Sequence, residues 1–182
     1  MKLINNIDSL HSVKLLHNIG NEQHSNYHTR EQILACDEPL GFDGIYLNVY
    51  ENQDVLKGKQ GIFFVMGDYV GKDNTFDLAY VPKLEKYCTW EQIHELTDKY
   101  YFEVGWHTWS HPDLTSLSEE EIMKEVTPPY PMDYFGYPYG KYNDLVIECV
   151  KKAGFKYAWS VTQGSRNLDD SNYNFKIWRN YL

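Results

Sequence analysis

Cysteine is scarce in this chain: Cys36, Cys88 and Cys149 are an odd number spread over 182 residues. That pattern excludes a disulfide framework and a cysteine-based zinc knuckle, and it points to a reducing compartment. No apolar stretch reaches the roughly 18 residues that a membrane-spanning helix needs. The opening Met1-Lys2-Leu3-Ile4-Asn5-Asn6-Ile7-Asp8 lacks an apolar signal core, so a cytoplasmic protein is expected. Basic residues are also few, since 17 Lys and Arg against 26 Asp and Glu leave a net charge of −9. A surface of that sign repels phosphate backbones and anionic headgroups, which makes nucleic acid and membranes poor partners. What the chain has in excess is aromatic side chains, 16 Tyr, 8 Phe and 5 Trp. With 42% hydrophobic residues, that is enough to build a single well-packed domain.

The first 30 residues are polar and rich in Asn and His, with a weakly helical stretch over 9–18 that Gly20 can end. They read as an N-terminal extension over 1–30, followed by one domain over 31–182. Gln32-Ile33-Leu34-Ala35-Cys36 reads as a buried strand that stops at Asp37-Glu38-Pro39, and residues 61–67 as a second strand closed by Gly67. Residues 90–101 carry Ile93, Leu96 and Tyr100 at helical spacing behind a Thr89 cap. A third strand over 102–106 runs into His107-Thr108-Trp109-Ser110-His111-Pro112. A helix over 116–126 opens on Ser118-Glu119-Glu120-Glu121, a solvated and dipole-favourable start. A strand over 134–137, a helix over 143–153 stopped by Gly154 and a strand over 157–161 follow. Strands alternating with helices predict parallel β/α units, with functional groups gathered at the strands' C-terminal ends.

Asp37 and Glu38 close one predicted strand, and His107 and His111 follow another. Two histidines and a carboxylate are the ligand types of a mononuclear zinc or similar divalent site that keeps a position open for water. A His-x-x-x-His spacing alone says little, because isolated histidines are mostly surface or satisfied core residues.

The surroundings say more. Residues 103–114, Glu-Val-Gly-Trp-His-Thr-Trp-Ser-His-Pro-Asp-Leu, resemble the second motif of the NodB-like polysaccharide deacetylases (carbohydrate esterase family 4). Gly61-Ile62-Phe63-Phe64-Val65-Met66-Gly67 resembles the strand that family writes Ala-Thr-Phe-Phe-Val, and Phe135-Gly136-Tyr137-Pro138-Tyr139-Gly140 resembles its third motif in a Tyr-Pro-Tyr-Gly variant. Phe175-Lys176-Ile177-Trp178-Arg179 is similar to the closing strand of that variant. The resemblance implies an α/β fold, a distorted and incomplete (β/α) barrel. It also implies a metal-dependent hydrolase that removes an acetyl or other acyl group from an N-acylated amino sugar, with Zn2+ the expected ion.

The first motif departs from the family's Thr-Phe-Asp-Asp-Gly, where one Asp is the base and the next a metal ligand. Two registers compete. In the first, Asp37 is the base and Glu38 the ligand beside His107 and His111; this keeps both carboxylates and the strand, and is preferred. In the second, Phe42-Asp43-Gly44 keeps the Phe-Asp pair, and Gly44 stands where the ligand would be. Gly136 occupies the place of a base-orienting Arg. The seven histidines, at 11, 17, 24, 28, 94, 107 and 111, leave no late His to act as general acid. His24 or His28 is the substitute to consider, folding over from the N-terminal segment. By the same resemblance the backbone N–H of Tyr139 faces the developing oxyanion.

Trp106 reads as core, and Trp109 as a wall of the site. Tyr130, Tyr134, Tyr137, Tyr139 and Tyr142 offer packing surface together with flat faces for sugar rings. Asp169 and Asp170 read as loop acids, and His94 needs no function. The expected partner is an N-acylated sugar, nucleotide-sugar or lipid-linked sugar in surface-polysaccharide or lipopolysaccharide assembly. Two alternatives stand beside it: a catalytically impaired sugar-binding relative of the same fold, and a hydrolase of another C–N bond.

Overall fold

Strands that are buried on both faces must be covered on both, and parallel β/α units do this with helices outside and side chains filling the inside. The computed structural model describes residues 13–19, 27–78, 83–161 and 169–182. Its strands are β1 (Lys14–Leu16), β2 (Asn18–Ile19), β3 (Tyr27–His28), β4 (Leu40–Asp43), β5 (Gln60–Val65), β6 (Tyr101–Trp106), β7 (Tyr134–Gly136), β8 (Tyr157–Ser160), β9 (Ile177–Trp178) and β10 (Asn180–Tyr181). Its helices are α1 (Arg30–Ala35), α2 (Leu47–Glu51), α3 (Trp90–Lys99), α4 (Glu119–Val126) and α5 (Asp144–Lys152), with short 3-10 turns between.

Eight strands form one parallel sheet in the order β10-β1-β4-β5-β6-β7-β8-β9, while β2 and β3 pair separately. The two edge strands of that sheet, β9 and β10, are separated in the chain by Arg179 alone. The C-terminal segment therefore joins the sheet's two ends, and the result is a nearly closed, distorted (β/α) barrel of the expected type.

Alternation along β5 separates the two cores. Phe63 and Val65 belong to the larger cluster, shared with Ile93, Leu96, Ile122, Val126, Val146 and Val150 of the helices. Ile62 and Phe64 belong to a smaller cluster with Val13, Tyr134, Trp159 and Ile177, which fills the barrel. Close strand packing at one point requires glycine, since a Cβ on Gly61 would stand 2.0 Å from the carbonyl oxygen of Leu40.

Helices α3 and α4 begin at the capping boxes Thr89/Gln92 and Ser118/Glu121, and Asn143 caps α5. Three sequence expectations are corrected. Residues 32–36 are not a strand but the end of α1 and its cap, because Thr29 and Gln32 form a further capping box and only Ile33 of the helix is buried. The strand that enters the barrel there is the next run, β4. The stretch over 9–18 does not form the expected helix in its described part, which holds β1 and the start of β2. Because β1 pairs with both β4 and β10, the barrel takes in residues before 31, and the boundary expected at residue 30 does not separate it from an extension.

Candidate active site

Inward-facing positions on a strand alternate, so β4 sends Gly41 and Asp43 into the barrel and Leu40 and Phe42 out to the helices. Asp43, the last residue of β4, is 7% exposed. His107 follows β6 directly and is 2% exposed. Its Nδ1 lies 2.7 Å from the carbonyl oxygen of Gly136 on β7. A carbonyl only accepts, so Nδ1 carries the proton and Nε2 presents its lone pair to the site. That Nε2 stands 3.6 Å from Oδ2 of Asp43. The ring of His111 lies 4.8 Å from that of His107, centroid to centroid.

The loop that returns His111 beside His107 is held in an unfavourable backbone. Thr108 and His111 have φ of 69° and 59°, in the left-handed region that costs a side-chain-bearing residue roughly 1–2 kcal/mol. Helix α4 supplies the restraint. Glu125 accepts from the N–H groups of Trp109 and Ser110 through Oε2 and from the Ser110 hydroxyl through Oε1. The His111 N–H donates to Thr108 Oγ1 at 3.0 Å, and the N–H groups of Gly67 and Asp68 donate to the carbonyls of Thr108 and Trp109. Tyr139, with φ 57°, sits next to the pair, its ring centroid 4.7 Å from that of His111.

Arg179, placed between β9 and β10 and 1% exposed, donates from Nη2 to Asp43 Oδ2 at 2.5 Å and covers the ring of Phe64 at 4.7 Å. Burial pushes the Asp43 carboxyl up, but the adjacent charges, Arg179 first, outweigh it and hold the carboxyl below its ordinary range. Burial pushes His107 down, and it pushes His111 down to about 3, with His107 adding to the effect on His111. Both imidazoles are neutral near pH 7, so Arg179 is the cation that keeps Asp43 ionised.

These groups open into a cleft lined by Asp43, His107, His111 and His17, with Tyr46, Met66, Tyr87, Phe76 and Asp77 on its other walls. His17 follows β1 as His107 follows β6. Asp43 Oδ1 and His111 Nδ1 are buried without a hydrogen-bond partner among the described residues. Two neutral imidazoles beside an ionised carboxylate, with buried acceptors left unpaired, fit a divalent cation. His107 and His111 are the nitrogens for it, although no ready-made group of three ligands occurs among the described residues.

The structure brings His107, His111 and Tyr139 together, and it separates them from Asp37 and Glu38. Asp37 and Glu38 line a different cavity with Gln60 and Tyr101, the first residues of β5 and β6, and Glu38 reaches Lys14 at 3.3 Å. They stand at the strands' N-terminal ends, across the barrel from the histidines. The preferred register is thus corrected: Asp43 is the carboxylate beside His107, because β4 and not residues 32–36 is the barrel strand. Gly44 next to it has φ +60°, and a Cβ there would meet Met66 at 2.7 Å and Tyr87 at 3.0 Å.

His24 lies outside the described residues. His28 donates from Nε2 to the carbonyl of Leu182 at 3.0 Å and does not line the cleft. Trp106 is core, as expected, but Trp109 packs edge-on against it at 5.0 Å and does not wall the cleft. Reasoning from sequence missed Arg179, His17 and Glu125. His17 carried a signal at the end of the Val13-Lys14-Leu15-Leu16 run, and Arg179 ends the 175–179 segment that resembles the family's closing strand, although that likeness gave it no role.

Residues 42–158 match a family model described as polysaccharide deacetylase. Poly-beta-1,6-N-acetyl-D-glucosamine N-deacetylase of Staphylococcus aureus (strain MRSA252) is 23% identical over 154 residues, covering 74% of this chain and 51% of that protein. The chain thus spans about half the length of the curated relatives it matches. Among solved structures, IcaB from Ammonifex degensii superposes with a TM-score of 0.75 at 17% identity, covering 94% of this chain and 91% of that one. The Streptococcus pyogenes deacetylase PplD in complex with acetate gives 0.73 at 15% identity, with the same coverage of 94% and 91%. At these identities the two structures show a shared fold.

Proposed function

Because this chain belongs to the polysaccharide deacetylase family, a family of N-deacetylating hydrolases, we propose that its cleft removes an acetyl group from an N-acetylated amino-sugar polymer with the help of a divalent metal. The observation that carries this reading is the meeting of Asp43, His107, His111 and His17 in one cleft at the C-terminal ends of the strands. An N-acetylglucosamine polymer is the substrate that the S. aureus relatives' name gives, and surface-polysaccharide assembly is the setting we infer.

Amide hydrolysis needs a proton acceptor for the attacking water, a donor for the departing amine, and stabilisation of the oxyanion. Asp43 is the acceptor: Arg179 occupies Oδ2 and leaves Oδ1 for the water. His17, reaching the cleft from β1, is the donor. The Tyr139 backbone N–H faces the oxyanion, and a donor of this kind contributes roughly 3 kcal/mol. His107 and His111 would hold the ion. An ion held there, such as Zn2+, would supply Lewis acidity toward the acyl carbonyl and toward a water.

Gly44, which brings no carboxylate, favours one second reading, a sugar binder that does not turn over. Acetate release from N-acetylglucosamine oligosaccharides separates the two, assayed after chelation and after zinc is restored. The hydrolase reading expects acetate only with metal; oligosaccharide binding with no acetate under either condition overturns it.

A further inference from the structure

Asp43 is accompanied in the cleft by a second carboxylate that the mechanism does not use. Asp77 ends the 3-10 turn Thr75–Asp77, which follows β5. The turn is built and fixed. The side chain of Asn74 is fully buried, donates to the Lys83 carbonyl at 3.0 Å and accepts from the Glu85 N–H at 2.8 Å, pinning both sides of the loop. Asp73 accepts from the Thr75 N–H and hydroxyl, and the Asp77 N–H donates to the Asn74 carbonyl at 2.9 Å.

Thus held, the turn delivers two adjacent side chains of different chemistry. Phe76 lies face to face with Tyr69 at 3.9 Å, reaches within 6.3 Å of the His111 ring, and still leaves 41% of its surface exposed. The Asp77 carboxylate lines the same cleft, and among the described residues no hydrogen bond or ion pair is made to it. Its surroundings are aromatic, with Tyr46, Tyr69 and Tyr87 close enough to feel its charge, and burial raises its carboxyl. A partly desolvated carboxylate with no partner is a strong acceptor kept available, since a charge-assisted hydrogen bond is shorter and stronger than a neutral one.

A pyranose ring has an apolar C–H face and a rim of hydroxyl donors. We propose that Phe76 and Asp77 form the wall that reads the sugar: the exposed Phe76 ring packs against the C–H face of a pyranose unit whose hydroxyls donate to Asp77. The two residues are positioning groups for substrate, set beside His111 so that the acyl group of the same unit meets Asp43. This deepens the deacetylase reading and rests on it for the reaction, but binding of the sugar stands independently of turnover.

The test uses an N-acetylglucosamine tetrasaccharide and, as a substrate without sugar, 4-nitrophenyl acetate. Asp77→Asn and Phe76→Ala are expected to raise KM for the tetrasaccharide about tenfold or more with little change in kcat. The ratio of kcat/KM between tetrasaccharide and ester falls by the same factor. Phe76→Tyr, which keeps the ring, restores the KM. Saturation-transfer NMR gives the matching loss of tetrasaccharide binding, and circular dichroism checks that the variants fold. Parallel losses on both substrates would put Asp77 in the chemistry and overturn the wall. So would unchanged tetrasaccharide affinity in both variants, or no tetrasaccharide binding by the unaltered protein at millimolar concentration. If the unaltered protein binds the tetrasaccharide and releases no acetate, the deacetylase reading fails, and the wall is then judged on binding alone.

Discussion

Asp43 and Arg179 are 136 residues apart in the chain and 2.5 Å apart in the fold. Taking both charges out of water is costly, and that cost is met only while the two remain together. Substitutions at either end should therefore cost stability. Asp43→Asn keeps an amide oxygen that can accept from Arg179 but leaves the buried guanidinium without its counter-charge, so stability falls, and the proposed proton acceptor is lost as well. Acetate release should drop by about 10²–10⁴-fold, the usual contribution of such a group. Arg179→Gln strands a buried carboxylate, and chemical denaturation should register a loss of about 3–5 kcal/mol. Asp37→Asn and Glu38→Gln, at the far end of the barrel, should leave acetate release within about twofold, since exposed substitutions away from such features act weakly. A loss at Asp37 matching that at Asp43 would reverse the assignment made from the geometry.

Elements explain why parts of this site were legible in the sequence and others were not. The helices α3, α4 and α5 announce themselves twice, by a cap residue and by apolar spacing over at least eight residues, and the β6 strand runs straight into the histidine motif. Residues 30–35 are too few for periodicity to separate helix from strand. There the Thr29-x-x-Gln32 box was the better signal, and giving weight to the apolar run instead shifted the first motif by six residues, from Asp37 to Asp43. Arg179 was illegible for a different reason. Its burial follows from the joining of β9 and β10 across the ends of the sheet, which no local pattern encodes. Glu125 belongs to the same class, because its work is done on a loop 15 and 16 residues earlier. Removing it tests the element: Glu125→Ala leaves the Trp109 and Ser110 donors without their carboxylate in a strained loop. We expect a loss of about 1–3 kcal/mol in stability and roughly 10–100-fold weaker zinc binding by titration. Glu125→Gln, which retains one acceptor oxygen, should recover part of both.

For the molecule as a whole, closure of the barrel places neutral imidazoles inside an acidic protein, and this fixes how its stability responds to pH. His28, His107 and His111 all have pKa values lowered from 6.5, burial being the largest cause in each, and His111 falls to about 3. In the unfolded chain these rings take up protons as pH falls through about 6.5, whereas in the folded protein they do not. The unfolded state then binds more protons, so stability is complete above about pH 6.5 and declines as pH falls from there toward 3. Asp43 acts in the same direction at lower pH: its carboxyl is held below the unfolded value of 3.8, so its contribution is present above that value and is lost as the folded protein finally protonates. Denaturant midpoints measured at pH 7, 6 and 5 with chelator present should fall at each step. Replacing His28, the member of this set outside the cleft, with Asn should flatten part of that slope while leaving zinc binding at pH 7 intact. Midpoints that stay level from pH 7 to pH 5 would mean that these rings are not held neutral by the fold.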